Sequence, residues 1–355
     1  MGALAAGLDA GRPAFAPVTR FDVAGRRVGV AATLPGDPDL DDELWWLVDE
    51  ACDEAKLGPA ERAAAPLFLA VHGDPRLARS APAERPRHGG HAFAAALARN
   101  TGLGPSRAYT SACVAASTAI ADAAGIIARG EAERIVVAGG YLVEADQYAL
   151  FDAGRALAAD GQVRPFSADR HGLLLGDGAG AVVLESAAAA EARAADPLAR
   201  LAGWGRAGDA HHPCRPHPQG RGLARAVAGA LRRAGIGPGD VGYVNAHGSG
   251  TAPSDAAETL ALHAALGEHA AAVPVSSTKA LHGQALEASG VLELAVTLHA
   301  LRGGRLPVNA GYLGPDEECA LDLVLEPRAA APAYALSLNA AFGGANTALL
   351  LGAAP

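Results

Sequence analysis

The chain has 355 residues, half of them hydrophobic and 19% charged, with a net charge of −9. That is enough for two domains or a pseudo-duplicated pair at about 150 residues each, and too apolar for a disordered chain. The acidic balance without a basic block argues against a nucleic-acid binder. No apolar run reaches the roughly 20 residues a bilayer needs. Cys52, Cys113, Cys214 and Cys319 are scattered, with no CxxC pair and no secretory signal, which argues against a disulfide framework and fits a reducing cytoplasm.

Residues 1–20 read as a short Ala-rich helix and a turn at Gly11–Pro13, followed by a strand over 27–32. Leu44 to Ala55 places Leu44, Leu47, Val48 and Ala51 on one helical face, with Gly58-Pro59 as the stop. Leu67 to Val71 is a continuous apolar run suited to a strand buried on both faces. Residues 74–90 read as a surface loop, and His91 to Asn100 as a helix. The segment Tyr109-Thr-Ser-Ala-Cys113 then joins a short strand to an Ala-rich helix.

A cysteine at that junction sits near unpaired helix amides and the positive end of the macrodipole, which favour an anion. The position predicts a lowered thiol pKa and a nucleophile. The alternative is a small inert core cysteine.

Further along, strands are predicted over 134–138 and 176–185, and a helix or linker over 185–195. The second half repeats the theme. A helix over 220–234 precedes a strand over 241–247 that delivers His247 into Gly248-Ser-Gly-Thr251. A helix over 256–266, a strand over 273–277, a loop from Lys279 to Gly290 and a helix over 291–301 follow. Strands over 335–338 and 348–351 close the chain around Phe342-Gly-Gly-Ala-Asn346. Alternating strands and helices in two similar halves predict an α/β layered fold, divided into residues 1–187 and 188–355.

Five segments in this order resemble the β-ketoacyl synthases of the thiolase superfamily. Thr110-Ser-Ala-Cys113 is similar to the family's nucleophile elbow, and Asn245-Ala-His-Gly-Ser-Gly-Thr251 with Asp255 and Glu258 to its A-H-G-T-G-T motif. Ser276 to Gly290 with Glu293, Pro165 to Arg170 with Gly176 to Gly180, and Phe342 to Asn346 match the remaining signatures. The resemblance implies a thiolase-like fold of two pseudo-duplicated halves in an α-β-α-β-α arrangement. It implies that Cys113 carries an acyl group and that the amides of Cys113 and Phe342 form an oxyanion hole, reached through a loop containing Gly343 and Gly344. His247 would stabilise the enolate left when carbon dioxide departs. Ser249 and Thr251 would hold a phosphopantetheine arm, Lys279 would pair with Glu293 to support the loop, and Phe342 would gate the cysteine. No cofactor and no metal are called for.

Three departures stand out. Gln284 occupies the place of the second catalytic histidine; its amide donates a hydrogen bond but exchanges no proton near neutral pH. His282, two residues earlier, is a substitute or a loop histidine. Glu287 replaces a small residue, and a carboxylate there needs a partner, for which His282 is a candidate. The chain is also shorter than the family pattern and lacks its first strand.

The implied function is decarboxylative condensation of an acyl group with a malonyl thioester in polyketide or specialised lipid synthesis. The alternative is acyl transfer to an amine, alcohol or thiol, and a third reading is a non-catalytic partner subunit. The implied partners are an acyl carrier protein or acyl-coenzyme A, and a second subunit in a homodimer or a heterodimer with a related chain. His211 to His217 carries metal-ligand residue types but reads better as a surface loop, and Trp45-Trp46 as core or interface packing.

Overall fold

The computed structural model describes residues 2–74 and 89–354. An N-terminal helix α1 (Gly2–Ala10) and a two-stranded ribbon of β1 (Ala16–Pro17) and β2 (Val30–Ala31) precede α2 (Leu40–Glu54) and α3 (Pro59–Ala64). Then come β3 (Leu67–Ala70), α4 (Gly90–Asn100), β4 (Ser106–Tyr109), α5 (Ala115–Ala128), β5 (Arg134–Tyr141), α6 (Ala145–Ala153) and β6 (Gly178–Glu185). Helix α7 (Ala187–Ala192) leads into β7 (Arg200–Gly208), α8 (Arg221–Ala234), β8 (Val241–Asn245), α9 (Ala252–Leu266) and β9 (Pro274–Ser276). The chain ends through α10 (Lys279–His282), α11 (Ser289–Arg302), β10 (Arg305–Leu306), β11 (Asp322–Leu323), β12 (Arg328–Ala329), β13 (Tyr334–Ala340) and β14 (Ala345–Gly352).

Two sheets carry the fold. The first has order β4-β3-β5-β6, parallel except for β6; the second has order β11-β9-β8-β13-β14-β7, with β14 and β7 antiparallel. Side chains alternate between the faces of a strand, and both faces are buried here. On the first sheet, Leu67, Leu69, Val136 and Ala138 pack outward on α2 and α4, while Phe68, Ala70, Ile135 and Val137 face α5. On the second, Val244, Leu336, Leu338 and Leu350 pack outward on α8 and α9, while Tyr243, Ala335, Leu349 and Leu351 face inward. Helices α5 and α11 therefore form a middle layer between the sheets, and the five-layer α-β-α-β-α arrangement is present.

The middle layer is thin because its side chains are small. Ala115, Ala116, Ala119 and Ala123 of α5 are fully buried. Where α11 begins, a Cβ on Gly290 would lie 2.4 Å from the amide nitrogen of Ser117, so only glycine allows this approach. Ser117 also meets Thr347 of β14 at 2.6 Å between hydroxyl oxygens, which ties α5 to the second sheet.

The structure differs from the sequence expectations in places. Helix α2 starts at Leu40, capped by the Asp39 side chain on the Asp41 amide at 2.8 Å. Helices α3 and α6 and the edge strand β7 had no predicted counterpart. The expected strand over 27–32 is only the two-residue β2, and the expected loop after Lys279 contains helix α10 and a 3₁₀ turn at Leu286–Ala288. The surface loop expected over 74–90 lies, for residues 75–88, outside the described residues. Trp45 packs on the edge of the outer core and Trp46 is exposed, the two rings meeting edge to face at 5.1 Å. Among the described residues no helix is long and apolar enough to cross a membrane.

Because the Gly290 contact is with backbone, Gly290→Val should overpack the layer and cost about 3 kcal/mol. Urea unfolding would show this as a lower midpoint at unchanged slope; an unshifted midpoint would mean that α5 and α11 part freely.

Candidate active site

Strand β4 ends at Tyr109, and a 3₁₀ turn over Ala112–Val114 feeds α5. Ala112 takes a left-handed φ of 50°, which turns the chain sharply just before Cys113. The thiol is buried in an apolar cluster with Tyr141, Phe151, Leu175, Ala285 and Leu286. Burial pushes its pKa up to about 12, and the carboxylates of Glu287 and Glu293 push the same way; a hydrogen bond from Gln284 and the charge of Lys279 oppose them. The lowered pKa expected from the helix terminus is therefore not found. Desolvation of the thiolate outweighs the helix end.

His247 follows β8 in a loop held by two carboxylates. The amides of His247 and Gly248 donate to the two oxygens of Glu258, each at 2.7 Å. Asp255 accepts from the amides of Phe166 at 2.8 Å and Gly250 at 3.2 Å. Burial raises both, Glu258 to about 8 and Asp255 to about 6. Burial, and then the charge of Lys279, hold His247 well below its usual pKa, so its ring is neutral, and its Nδ1 is buried without a partner. The Ser249 hydroxyl meets that of Thr251 at 2.9 Å and reaches Asp255 at 3.5 Å. Ser249 is buried and Thr251 half-buried.

Lys279 opens α10 and is fully buried. Its Nζ donates to the His247 carbonyl at 2.5 Å and to Glu293 of α11, which also accepts from Asn339 of β13. Gln284 is buried, with its Oε1 unpartnered. Its backbone is clamped: its amide donates to Leu174 at 2.8 Å and its carbonyl accepts from Gly176 at 3.0 Å.

Both ring nitrogens of His282 are engaged, Nε2 with the Thr278 hydroxyl at 2.8 Å and Nδ1 with the Gly283 carbonyl at 2.9 Å. It closes α10 and spends its ring on its own segment. Glu287 does not pair with it: the carboxylate meets Nδ1 of His72 at 3.1 Å, and its other oxygen is buried without a partner. The reason is geometric, since His282 is spent on its own segment while His72 lies two residues past the end of β3.

Phe342 lies in the turn between β13 and β14, half exposed, with its ring stacked on Phe151 at 5.9 Å. Its amide makes no main-chain hydrogen bond among the described residues. The turn needs the left-handed φ of 88° at Gly343, whose amide donates to the Pro213 carbonyl at 2.6 Å. The loop His211 to His217 therefore packs beside Phe342, with the rings of His211 and His217 5.3 Å apart. No group of three metal-ligating side chains occurs among the described residues.

Sequence reasoning missed Asn339, His72 and Asn309, whose side chain bridges the Ser277 amide and the Pro165 carbonyl, each at 3.0 Å. An asparagine at an inward position of an apolar strand was the one available signal for Asn339. The motif residue Asp177 accepts two hydrogen bonds from Arg20, at 2.7 and 3.0 Å, and the Leu34 and Val143 amides, so it braces the N-terminal segment.

Three outcomes follow for the free protein. Since the thiol is protonated until well above neutrality, alkylation of Cys113 by iodoacetamide should rise about tenfold per pH unit from about pH 6 to about pH 9; a plateau near neutrality would contradict the buried thiol. Glu287→Gln removes a negative neighbour and should speed alkylation about threefold at about pH 8. Lys279→Met strands Glu293 as an unpaired buried charge and should cost about 3–5 kcal/mol in chemical unfolding, while Lys279→Met with Glu293→Leu should recover part of the loss.

The family description "Beta-ketoacyl synthase, N-terminal domain" matches residues 87–190 and "Beta-ketoacyl synthase, C-terminal domain" residues 198–312, together more than half of the chain. A 3-oxoacyl-[acyl-carrier-protein] synthase 2 of Synechocystis sp. is 38% identical over 253 residues, 69% of this chain and 61% of that protein. The protein of the same name from Staphylococcus aureus is 37% identical over 254 residues, 70% of this chain and 63% of that protein. The matched region thus spans less than two thirds of these relatives. Among solved structures, the ishigamide ketosynthase/chain length factor superposes with a TM-score of 0.90 at 28% identity, covering 100% of this chain and 95% of that one. A β-ketoacyl synthase from Burkholderia phymatum STM815 gives 0.86 at 27% identity, covering 99% and 94%. With its five motifs folded into one site and both family domains matched, the chain belongs to the β-ketoacyl synthase family of the thiolase superfamily.

Proposed function

We propose that the protein condenses an acyl group held on Cys113 with a malonyl thioester, releasing carbon dioxide and a 3-oxoacyl thioester, in polyketide or specialised lipid synthesis. The observation that carries this reading is the buried Cys113, set by the sharp turn at Ala112 at the head of α5, together with a buried Gln284 and a His247 loop fixed by Glu258 and Lys279. Two halves, 1–187 and 188–355, contribute the cysteine and the His and Lys loops respectively.

In the first step the Cys113 sulfur attacks the acyl thioester. The carrier thiol leaves with the proton, and the free Phe342 amide with that of Cys113 receives the oxyanion. Gly343 and Gly344 let that loop approach. In the second step the malonyl carboxylate departs as carbon dioxide. The imidazole of His247 and the amide of Gln284 donate to the thioester oxygen as it becomes an enolate; neither transfers a proton, so a fixed donor suffices at each place. The enolate carbon bonds to the acyl carbon, and the Cys113 sulfur leaves and takes a proton from solvent. Ser249 and Thr251 line the arm of the carrier, Lys279 and Glu293 hold the His247 loop, and Phe342 on Phe151 gates the entrance. An acyl carrier protein, named in the relatives' titles, or coenzyme A delivers the acyl group, and a second subunit, identical or related, completes the dimer.

Gln284 also motivates a second reading, in which acyl-Cys113 is passed to an amine, alcohol or thiol. The two readings separate on one measurement: incubation with an acyl-carrier donor and malonyl carrier protein, followed by intact mass and carbon dioxide release. Condensation requires acylation of Cys113, carbon dioxide and a 3-oxoacyl product, all lost in Cys113→Ala. Acylation with no carbon dioxide sinks the condensing reading. Gln284→Ala should lower decarboxylation about 100-fold with little effect on acylation.

A further inference from the structure

Two sharp turns meet at the nucleophile. Each contains a non-glycine residue with a left-handed φ, Ala112 at 50° and Leu286 at 37°, and each of these is followed directly by a side chain with chemistry, Cys113 and Glu287. Such a backbone conformation costs energy and persists where the surrounding structure requires it. The 3₁₀ turns Ala112–Val114 and Leu286–Ala288 bring Cα atoms within 8 Å of each other. Cys113, Leu286 and Ala288 share one apolar cluster with Tyr141, the last residue of β5. Glu287 is only 2% exposed in this setting. Burial, and then the charge of Glu287, raise the Tyr141 hydroxyl well above its usual pKa, and the same charge acts on the buried thiol, so the carboxylate is close to both.

His72 holds one oxygen of Glu287 at 3.1 Å. The other, Oε2, and the Tyr141 hydroxyl are both buried with no partner among the described residues. We infer that these two atoms read a hydroxyl on the acyl group carried by Cys113, close to its thioester carbon. A hydroxyl donates to the carboxylate and accepts from the phenol, so one group satisfies both. A methylene in its place satisfies neither and seals two polar groups away from water. An ammonium donates to the carboxylate but leaves the phenol proton without an acceptor, and His72 already faces the same carboxylate. The inference also gives a role to a residue that the condensation does not use. Glu287 does not hold the His247 loop, and a carboxylate near a developing oxyanion opposes it. This selection rests on the acyl-enzyme of the reading above and names its substrate class.

The test offers the full chain a hexanoyl thioester and its α-hydroxy, β-hydroxy and β-amino counterparts, on coenzyme A and on an acyl carrier protein. Intact mass follows the rate at which Cys113 is acylated. One hydroxy donor should react at least about tenfold faster than hexanoyl. That preference should vanish in Glu287→Ala and fall about threefold in Tyr141→Phe. Circular dichroism checks the fold of each variant, and Tyr141→Phe, which removes a single oxygen, decides the matter if Glu287→Ala does not fold. Equal rates for hexanoyl and both hydroxy donors overturn the inference, as does a preference that survives in the folded variants. A β-amino donor that outruns the hydroxy donors overturns it in favour of a cationic acyl group. Acylation with the expected preference but no carbon dioxide from a malonyl thioester sinks the condensing reading alone. Carbon dioxide release with no preference among donors sinks this inference alone, and no acylation by any donor removes both.

Discussion

One buried ion pair holds the site in register. Lys279 and Glu293 lie in the thin middle layer, where a lone charge would be severely penalised. Each is therefore placed by the other and by its remaining partners. The ammonium grips the His247 carbonyl, and the carboxylate takes the Asn339 amide. The loop after β8, the helix α10, the helix α11 and the strand β13 meet at these two side chains. The polar residues on the inward faces of the second sheet, Asn245, Ser337, Asn339 and Thr347, gather around the same layer. The sheet is apolar on its outer face and selectively polar toward the middle layer.

The cysteine shows how two local effects compete. A helix N-terminus offers a thiolate about 0.3–1 kcal/mol, and up to about 2 kcal/mol in a buried setting. The rise of the thiol pKa to about 12 corresponds to about 4 kcal/mol against the thiolate. Burial wins. The free protein holds a thiol, buried in the apolar cluster that includes Phe151. The same desolvation that opposes the anion leaves a neutral sulfur at home in that cluster.

Much of this was legible in the sequence. The run Leu67 to Val71 announced a strand buried on both faces, and motif segments far apart in sequence meet in the fold, Phe166 with Asp255 and Lys279 with the His247 carbonyl. Strand β7 was not legible, since Gly203, Gly205 and Gly208 interrupt its apolar pattern. The direction of the Cys113 shift needed the packing of Leu175, Leu286 and Phe151, which no spacing encodes. The partner of Glu287 lies 215 residues away at His72.

Lysine occurs twice, at Lys56 and Lys279, and only Lys56 is exposed. The ε-amine of Lys279 is sealed by Glu293 and the His247 carbonyl. Amine-directed reagents acting on the folded protein therefore find one lysine side chain, just beyond α2 and on the first sheet's outer layer. A dye, a crosslinker or a solid support attached through that amine would be placed at a single address, with no need to engineer the sequence. Unfolding exposes a second, so the count of modified lysines also reports whether the middle layer is intact.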